Sequence, residues 1–272
     1  MGTSLKLRRL SLINLCVTLI FSIFSSSVFA CTTDGWLAGA VGAVSPNDPI
    51  NGVARVKGRC GLEVAGQGHV MDGSPFEDAK FIGHFYFFPQ FTGSGTTDLF
   101  VAYSNEGGTT ELFSVRYNGT DVIFDASGGA GGTRVSFPAD PTHWNLVEFT
   151  WSSGNPGSLW VNSNATADAA DQTFTSGTGL VESVKLGAPN GFGGLAGKVS
   201  FDEYESRRNE QVGQLLAGDA DLDGNINAND VNAIVDEFLF GTLADGVIDC
   251  DLNGKVDAGD INCVVDIFLG NP

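Results

Sequence analysis

Three textures of apolar and polar residues follow one another along the chain. Leu10 to Phe24 is a mostly apolar run, broken only by small polar residues such as Ser11, Asn14, Thr18 and Ser22. From Val53 to Tyr204, short runs rich in Val, Phe, Leu and Tyr are separated by Gly, Asn and Ser. They predict strands over Val53–Val56, Gly61–Val64, Phe81–Phe88, Asp98–Ser104, Glu111–Tyr117, Val122–Asp125, Thr133–Phe137, Asn145–Trp151, Ser158–Val161, Val181–Leu186 and Lys198–Tyr204. Turn signals such as Asn118-Gly119 and Gly154–Gly157 lie between them. Many short strands at regular spacing predict an all-β sandwich or barrel. Glu205 to Leu216 reads as a short helical connector. After it the period changes. Val231, Ile234, Val235, Phe238 and Leu239, then Ile261, Val264, Val265, Phe268 and Leu269, fall at i, i+3, i+4, i+7 and i+8, which predicts two helices, each with one apolar face.

Each predicted helix is preceded by the same acidic loop. The copies start at Asp219 and Asp249, thirty residues apart, and share Asp219, Asp221, Leu222, Gly224, Ala228, Asp230, Asn232, Val235, Asp236, Phe238 and Leu239. A calcium loop of the EF-hand type supplies oxygen from positions 1, 3, 5, 7, 9 and 12, with Gly at 6 for the sharp turn and a backbone carbonyl at 7. Positions 1, 3 and 5 are Asp219, Asp221 and Asp223 in one copy and Asp249, Asp251 and Asn253 in the other. Gly224 and Gly254 stand at 6. Asn225 and Lys255 stand at 7, where only the carbonyl is needed. Asn227 and Asp257 occupy position 9, expected to act through water, and Asp230 and Asp260 occupy position 12. Ile226 and Val256, at position 8, are expected to join the loops across a short β-bridge. The set predicts two bound calcium ions.

Asp rather than Glu at position 12, a single helix after each loop and a weak or missing helix before it resemble the type I dockerin module. The resemblance implies two calcium ions and docking to a cohesin-type protein. Two departures bear on the docking. Positions 10 and 11 are Ala228-Asn229 and Ala258-Gly259, and the basic residues usual on the following helix are replaced by Asp236-Glu237 and Asp266-Ile267. The expected organisation is therefore a signal peptide over 1–30, a β-sandwich over 31–209, a linker over 210–217 and a calcium module over 218–272.

The head of the chain refines the compartment. Lys6, Arg8 and Arg9 precede the apolar run, and Ser25 to Ala30 is a small-residue segment, which together read as a secretory signal cleaved after Ala30. Cys31 follows at once, but the bulky Phe29 fits a lipid-anchor signal poorly, so a secreted chain is expected. No other apolar stretch reaches the roughly 18–20 residues of a membrane helix. Removing Lys6, Arg8 and Arg9 leaves 11 of the 14 basic residues against 32 acidic ones. Such a charge opposes binding to nucleic acid. Four cysteines remain, Cys31, Cys60, Cys250 and Cys263. An even number in an exported chain suggests disulfides. Cys250 and Cys263 align with Ala220 and Ala233 of the first repeat, a paired substitution that predicts Cys250–Cys263 and, by remainder, Cys31–Cys60.

His143 to Phe149, Ser158 to Asn162, Val184 to Gly187 and Gly197 to Tyr204 resemble strands of the concanavalin-like jelly roll, in particular laminin-G-like domains. The resemblance implies a sandwich that binds glycan or another surface ligand. The jelly-roll glucanases carry Glu-x-Asp-x-Glu, whereas Asp202-Glu203-Tyr204-Glu205 has a different order, and Glu203 and Glu205 are expected on one strand face with Asp202 on the other. His69, His84 and His143 lack metal-ligand spacing. No catalytic residue is assigned. The competing expectation is a secreted polysaccharide-degrading glycosidase or lyase of the same fold. Trp36, Trp144, Trp151 and Trp160 are the candidate sugar-stacking residues. Trp144 and Trp151 have opposite strand parity, so one of the two is expected to face outward.

Overall fold

A computed structural model describes residues 32–47, 53 and 55–270. The signal segment and Cys31 lie outside the described residues. Twelve strands precede two helices among them. They are β1 (Leu37–Asn47), β2 (Gly61–Asp72), β3 (Lys80–Gly93), β4 (Thr97–Tyr103), β5 (Glu111–Tyr117), β6 (Asp121–Asp125), β7 (Arg134–Pro138), β8 (Asn145–Ser152), β9 (Pro156–Val161), β10 (Gln172–Thr175), β11 (Ser183–Ala188), β12 (Leu195–Arg207), α1 (Ala228–Phe240) and α2 (Ala258–Phe268).

Every strand pairing is antiparallel. The order is β10-β9-β8-β3-β12-β2-β11-β4-β5-β6-β7, with β1 on β2. β12 joins the two halves, because Val199, Ser200 and Phe201 pair with β2 on one side and with β3 on the other. The ends of the ribbon approach each other, where the Thr133 N–H donates to the Thr175 carbonyl at 3.0 Å. The result is a β-sandwich of barrel-like closure. Its interior is filled by aromatic rings. Phe81, Phe85, Phe100, Phe113, Phe124, Phe149, Trp151 and Phe174 form one buried cluster, with Phe124 and Phe174 stacked at 4.1 Å and Phe113 and Trp151 at 5.3 Å.

Two local expectations fail, and two strands, β1 and β10, were not expected. Val53 and 55–56 form a loop rather than a strand. β1 was not expected, because its Gly-, Ala- and Pro-containing sequence carries little strand signal. It is held by pairing to β2 instead. The connector is not helical. β12 continues to Arg207, and 211–216 has no regular secondary structure.

The reason is visible on β3. Its odd positions, Phe81, Phe85 and Phe87, point into the sandwich, and its even positions, His84, Tyr86 and Phe88, point outward. The outward row binds the connector. Glu148, the cross-strand neighbour of His84 on β8, lies 3.3 Å from the His84 Nδ1 and accepts the Val212 and Gly213 N–H groups, each at 2.8 Å. The Tyr86 hydroxyl accepts the Leu215 N–H at 3.1 Å. Residues 212–215 are thus strapped to the sandwich. A helix would satisfy these N–H groups internally and could not donate them to Glu148 and Tyr86.

The C-terminal module closes over the end of the same face. Trp144, Tyr86, Leu146, Val53 and Val56 form a second apolar cluster that includes Leu215 and Leu252. Trp144 and Trp151 do lie on opposite faces, but both are buried, because Leu252 and Leu215 cover the outer one. Arg55, in the loop before β2, pairs with Glu237 of α1 through two hydrogen bonds and donates to the Ala244 carbonyl at 2.8 Å. Within the module, Ile234 of α1, Val264 of α2, Ala220, Ile248 and Cys250 form a third cluster.

Candidate metal centres

The twin loops share their left-handed positions. Leu222 and Leu252 at position 4 both adopt φ +60°, and Gly224 and Gly254 at position 6 both adopt φ +80°. Position 6 is the left-handed turn that favours Gly. The turn brings position 1 back over the loop, so the Asp219 carboxylate accepts the Gly224 N–H at 3.1 Å and Asp249 accepts that of Gly254 at 2.7 Å.

Asp219, Asp221 and Asp223 bring carboxylate oxygens within 4.8 Å of one another, and so do Asp249, Asp251 and Asp260. Asn253, at position 5 of the second loop, donates from its amide to Asp251. Asn225 at position 7 bonds back to Asp223, and Lys255 is exposed. Asn227 and Asp257 cap the helices, accepting the Asn229 N–H at 2.8 Å and the Gly259 N–H at 2.6 Å. Asp230 and Asp260 complete both capping boxes by accepting the Asn227 and Asp257 N–H groups, and each also accepts two N–H groups from the start of its loop. Positions 9 and 12 therefore serve the helix start as well as the loop. The Asn-x-x-Asp and Asp-x-x-Asp spacing is a capping-box signal that a reading centred on calcium passed over.

The loops also leave oxygen atoms without partners. Asp219 Oδ1, Asp249 Oδ1 and Asn253 Oδ1 are sealed from solvent and accept no hydrogen bond. Burial, together with the neighbouring Asp260 and Asp251, pushes the Asp249 carboxyl up to about 8. Asp260 is raised as well, chiefly by burial. Buried, mutually repelling carboxylates are costly unless a cation compensates them. The donors are all oxygen, arranged around a Gly turn, and they fit calcium.

Surroundings separate two loops that sequence makes equal. Gly224 is exposed with nothing near its Cα hydrogen, and Leu222 is 45% exposed. Gly254 lies against the Phe88 ring and Val53, where a Cβ would stand 2.7 and 2.8 Å from their carbons. The Leu252 carbonyl accepts the Trp144 N–H at 2.7 Å. The first loop is open to solvent, and the second is seated on the sandwich.

The expected bridge between Ile226 and Val256 is not formed. Both pack against the module's apolar cluster. The halves are joined instead by the Gly246 and Val247 N–H groups, which donate to the Ala220 and Asp219 carbonyls at 3.0 and 2.8 Å. The predicted Cys250–Cys263 disulfide is present, linking the second loop to α2. Cys31 of the other expected pair lies outside the described residues. The helical apolar faces are only half used. Ile234 and Val264 are fully buried, whereas Phe238, Leu239, Phe268 and Leu269 are exposed, because the helices outrun a small core.

The acidic segment of β12 is built around a bulge between Asp202 and Glu205, so Glu203 and Glu205 do not follow the expected simple alternation. Glu203 sits at φ +50° and pairs with Lys57 at 3.0 Å. Asp202 accepts the Val56, Lys57 and Glu203 N–H groups with both oxygens. Burial, and next to it the Glu203 charge, nevertheless push it up to about 7. Glu205 pairs with Arg207. The segment is a latch for the Arg55 loop.

No protein-family model and no curated protein matches the chain. Among solved structures, a cellulose induced protein, Cip1, is similar at a TM-score of 0.42 and 12% identity over 67% of this chain and 92% of its own. The binding domain of botulinum neurotoxin DC in complex with SialylT is similar at 0.41 and 9% over 63% of this chain and 42% of its own. A Trypanosoma rangeli sialidase is similar at 0.39 and 17% over 58% of this chain and 27% of its own. The chain spans less than half the length of each of the last two.

Proposed function

We propose that the chain is a secreted, calcium-binding presentation protein: a glycan-binding β-sandwich of the concanavalin-like jelly-roll class, carried by a dockerin-like module that holds two calcium ions. The observation that carries this reading is the set of unpartnered, buried oxygens of Asp219, Asp249 and Asn253 at the centres of two matching loops. Asp219, Asp221, Asp223 and the Asn225 carbonyl would hold one ion, with Asn227 and Asp230. Asp249, Asp251, Asn253 and the Lys255 carbonyl would hold the other, with Asp257 and Asp260. Bound calcium supplies positive charge that relieves the repulsion within each loop, and so favours the fold.

The same module carries the docking part of the proposal. Phe238 and Leu239 recur as Phe268 and Leu269, all exposed, and Asp236 and Asp266 stand beside them. Two apolar pairs, each with an acidic neighbour, suit a cohesin-type protein whose own rim is basic. Calorimetry of the full chain with calcium tests the central claim. Two binding events, reduced to one by Asp219→Ala, are expected. Heat at neither loop would end the proposal.

A further inference from the structure

Among the described residues, three neighbouring depressions lie by β12 and the β1–β2 end, where the interior cluster reaches the surface. The first, of about 280 Å³, lies between Trp36, Leu62, Glu203 and Tyr204. The second, of about 540 Å³, shares Trp36 and adds Leu37, Asp72 and Ser74. The third, also about 540 Å³, shares Ser74 and adds Phe76, Asp78 and Arg208. Trp36 and Ser74 each border two of them, so the three adjoin in a row that is treated as one groove.

Its chemistry is specific. Trp36 is the one tryptophan among the described residues that is not buried. It leans on Tyr204 with ring centres 5.2 Å apart. Phe76 is 73% exposed. Aromatic faces left in solvent inside a groove mark a binding surface better than scattered apolar residues do. The cations beside them are already paired. Lys57 pairs with Glu203 at 3.0 Å, Arg208 with Asp78 at 2.6 Å and Arg207 with Glu205 at 2.6 Å. Asp72 accepts the Tyr204 hydroxyl at 3.0 Å and the Ser74 N–H at 2.7 Å. Paired cations leave little field to select an anionic ligand. They do leave fixed acceptors and donors suited to hydroxyl groups. The chain's net charge of −18 also opposes anionic polymers.

We infer that this groove binds a neutral polysaccharide chain, several sugars long, with Trp36 and Phe76 as stacking platforms at separate subsites. The inference rests on the glycan-binding reading of the sandwich and gives it a location. Calorimetry of the full secreted chain tests it, using cellohexaose, xylohexaose and laminarihexaose, the corresponding trimers, and hexagalacturonate as the anionic comparison. At least one neutral hexamer should bind, its trimer at least tenfold more weakly. Phe76→Ala and Trp36→Ala should each weaken the hexamer at least fivefold without moving the melting temperature. Phe76 is too exposed for its loss to unfold the chain, and Trp36→Phe should restore most of the binding if Trp36→Ala disturbs its segment. A hexamer whose affinity is the same in the Trp36→Ala, Phe76→Ala double variant would overturn the groove and leave glycan binding standing. Preference for hexagalacturonate would overturn the neutral class. No binding by any probe at millimolar concentration would end both readings.

Discussion

The Arg55 guanidinium and the Glu237 carboxylate, 182 residues apart, meet through two hydrogen bonds of 2.7 and 2.9 Å with only 1% and 8% of their side chains exposed. The pair ties the loop before β2 to α1, so the module is fastened to the sandwich by more than its connector. Breaking a buried pair from one side strands the other charge, which costs about 3–5 kcal/mol. Glu237→Ala should lower stability by that amount in denaturant melts. Replacing both partners, as Arg55→Met with Glu237→Leu, should recover most of it. A single variant as stable as the parent would show that the pair is not closed in solution.

The two loops should differ in what their ions do. The second touches Trp144 and Phe88, whereas the first touches solvent. An ion at 100 times its dissociation constant adds about 2.7 kcal/mol per site. Asp249→Ala in calcium should therefore lower the melting of the sandwich as well as the module. Asp219→Ala should remove one ion and leave the sandwich nearly unchanged. Near-ultraviolet circular dichroism, dominated by the buried aromatic cluster, follows the sandwich. Equal effects from the two substitutions would contradict the seating of the second loop.

The strap predicts an acid response. Burial alone would raise Glu148, but the hydrogen bond from His84 and the Gly213 and Val212 N–H groups outweigh it and hold the carboxyl below its ordinary value of 4.5. A depressed carboxyl contributes stability above its unfolded value and loses it as pH falls through the folded one. The protection of the 212–215 amides against exchange, relative to the intrinsic rate at each pH, should fall below about pH 4.5 in the parent chain. In Glu148→Gln protection should already be low at pH 7 and change less with acid. Protection independent of pH in the parent would refute this account.

Phe238, Leu239, Phe268 and Leu269 cover little of their own core. Changing all four to Ser should alter stability by about 0.5 kcal/mol per site or less. The same variant should abolish binding to a cohesin-type partner, while either pair alone should weaken it only partly, since the patch is duplicated. Surface plasmon resonance with immobilised cohesin domains reads this directly. Unchanged binding in the fourfold variant would move the docking face elsewhere.

Local chemistry was legible and long-range packing was not. The twin loops, the Gly turns and the Cys250–Cys263 pair could be read because a repeat carries its own comparison. β3, β5, β6 and β8 could be read because their apolar runs end at turn residues. β1 could not, since Gly39 and Gly42 bend it and pairing with β2, far along the chain, holds it. Trp144 illustrates the wider limit. Its parity opposite to that of Trp151 was legible, but nothing near it in sequence says that it is the outward one or that Leu252 will cover it. The connector failed for the same reason, because its N–H groups are satisfied by Glu148 and Tyr86 on strands far upstream.

The strap also sets how force would pass through the molecule. A tension applied at the C-terminal module would not be taken up by a slack tether. It would load the outward row of β3 in shear, through His84, Tyr86 and Phe88, near the middle of the strand order rather than at a free edge. Antiparallel ladders on both sides of that strand would share the pull. An object gripped by the module and a chain lying in the groove would therefore be joined by a stiff coupling, able to transmit drag without first paying out slack.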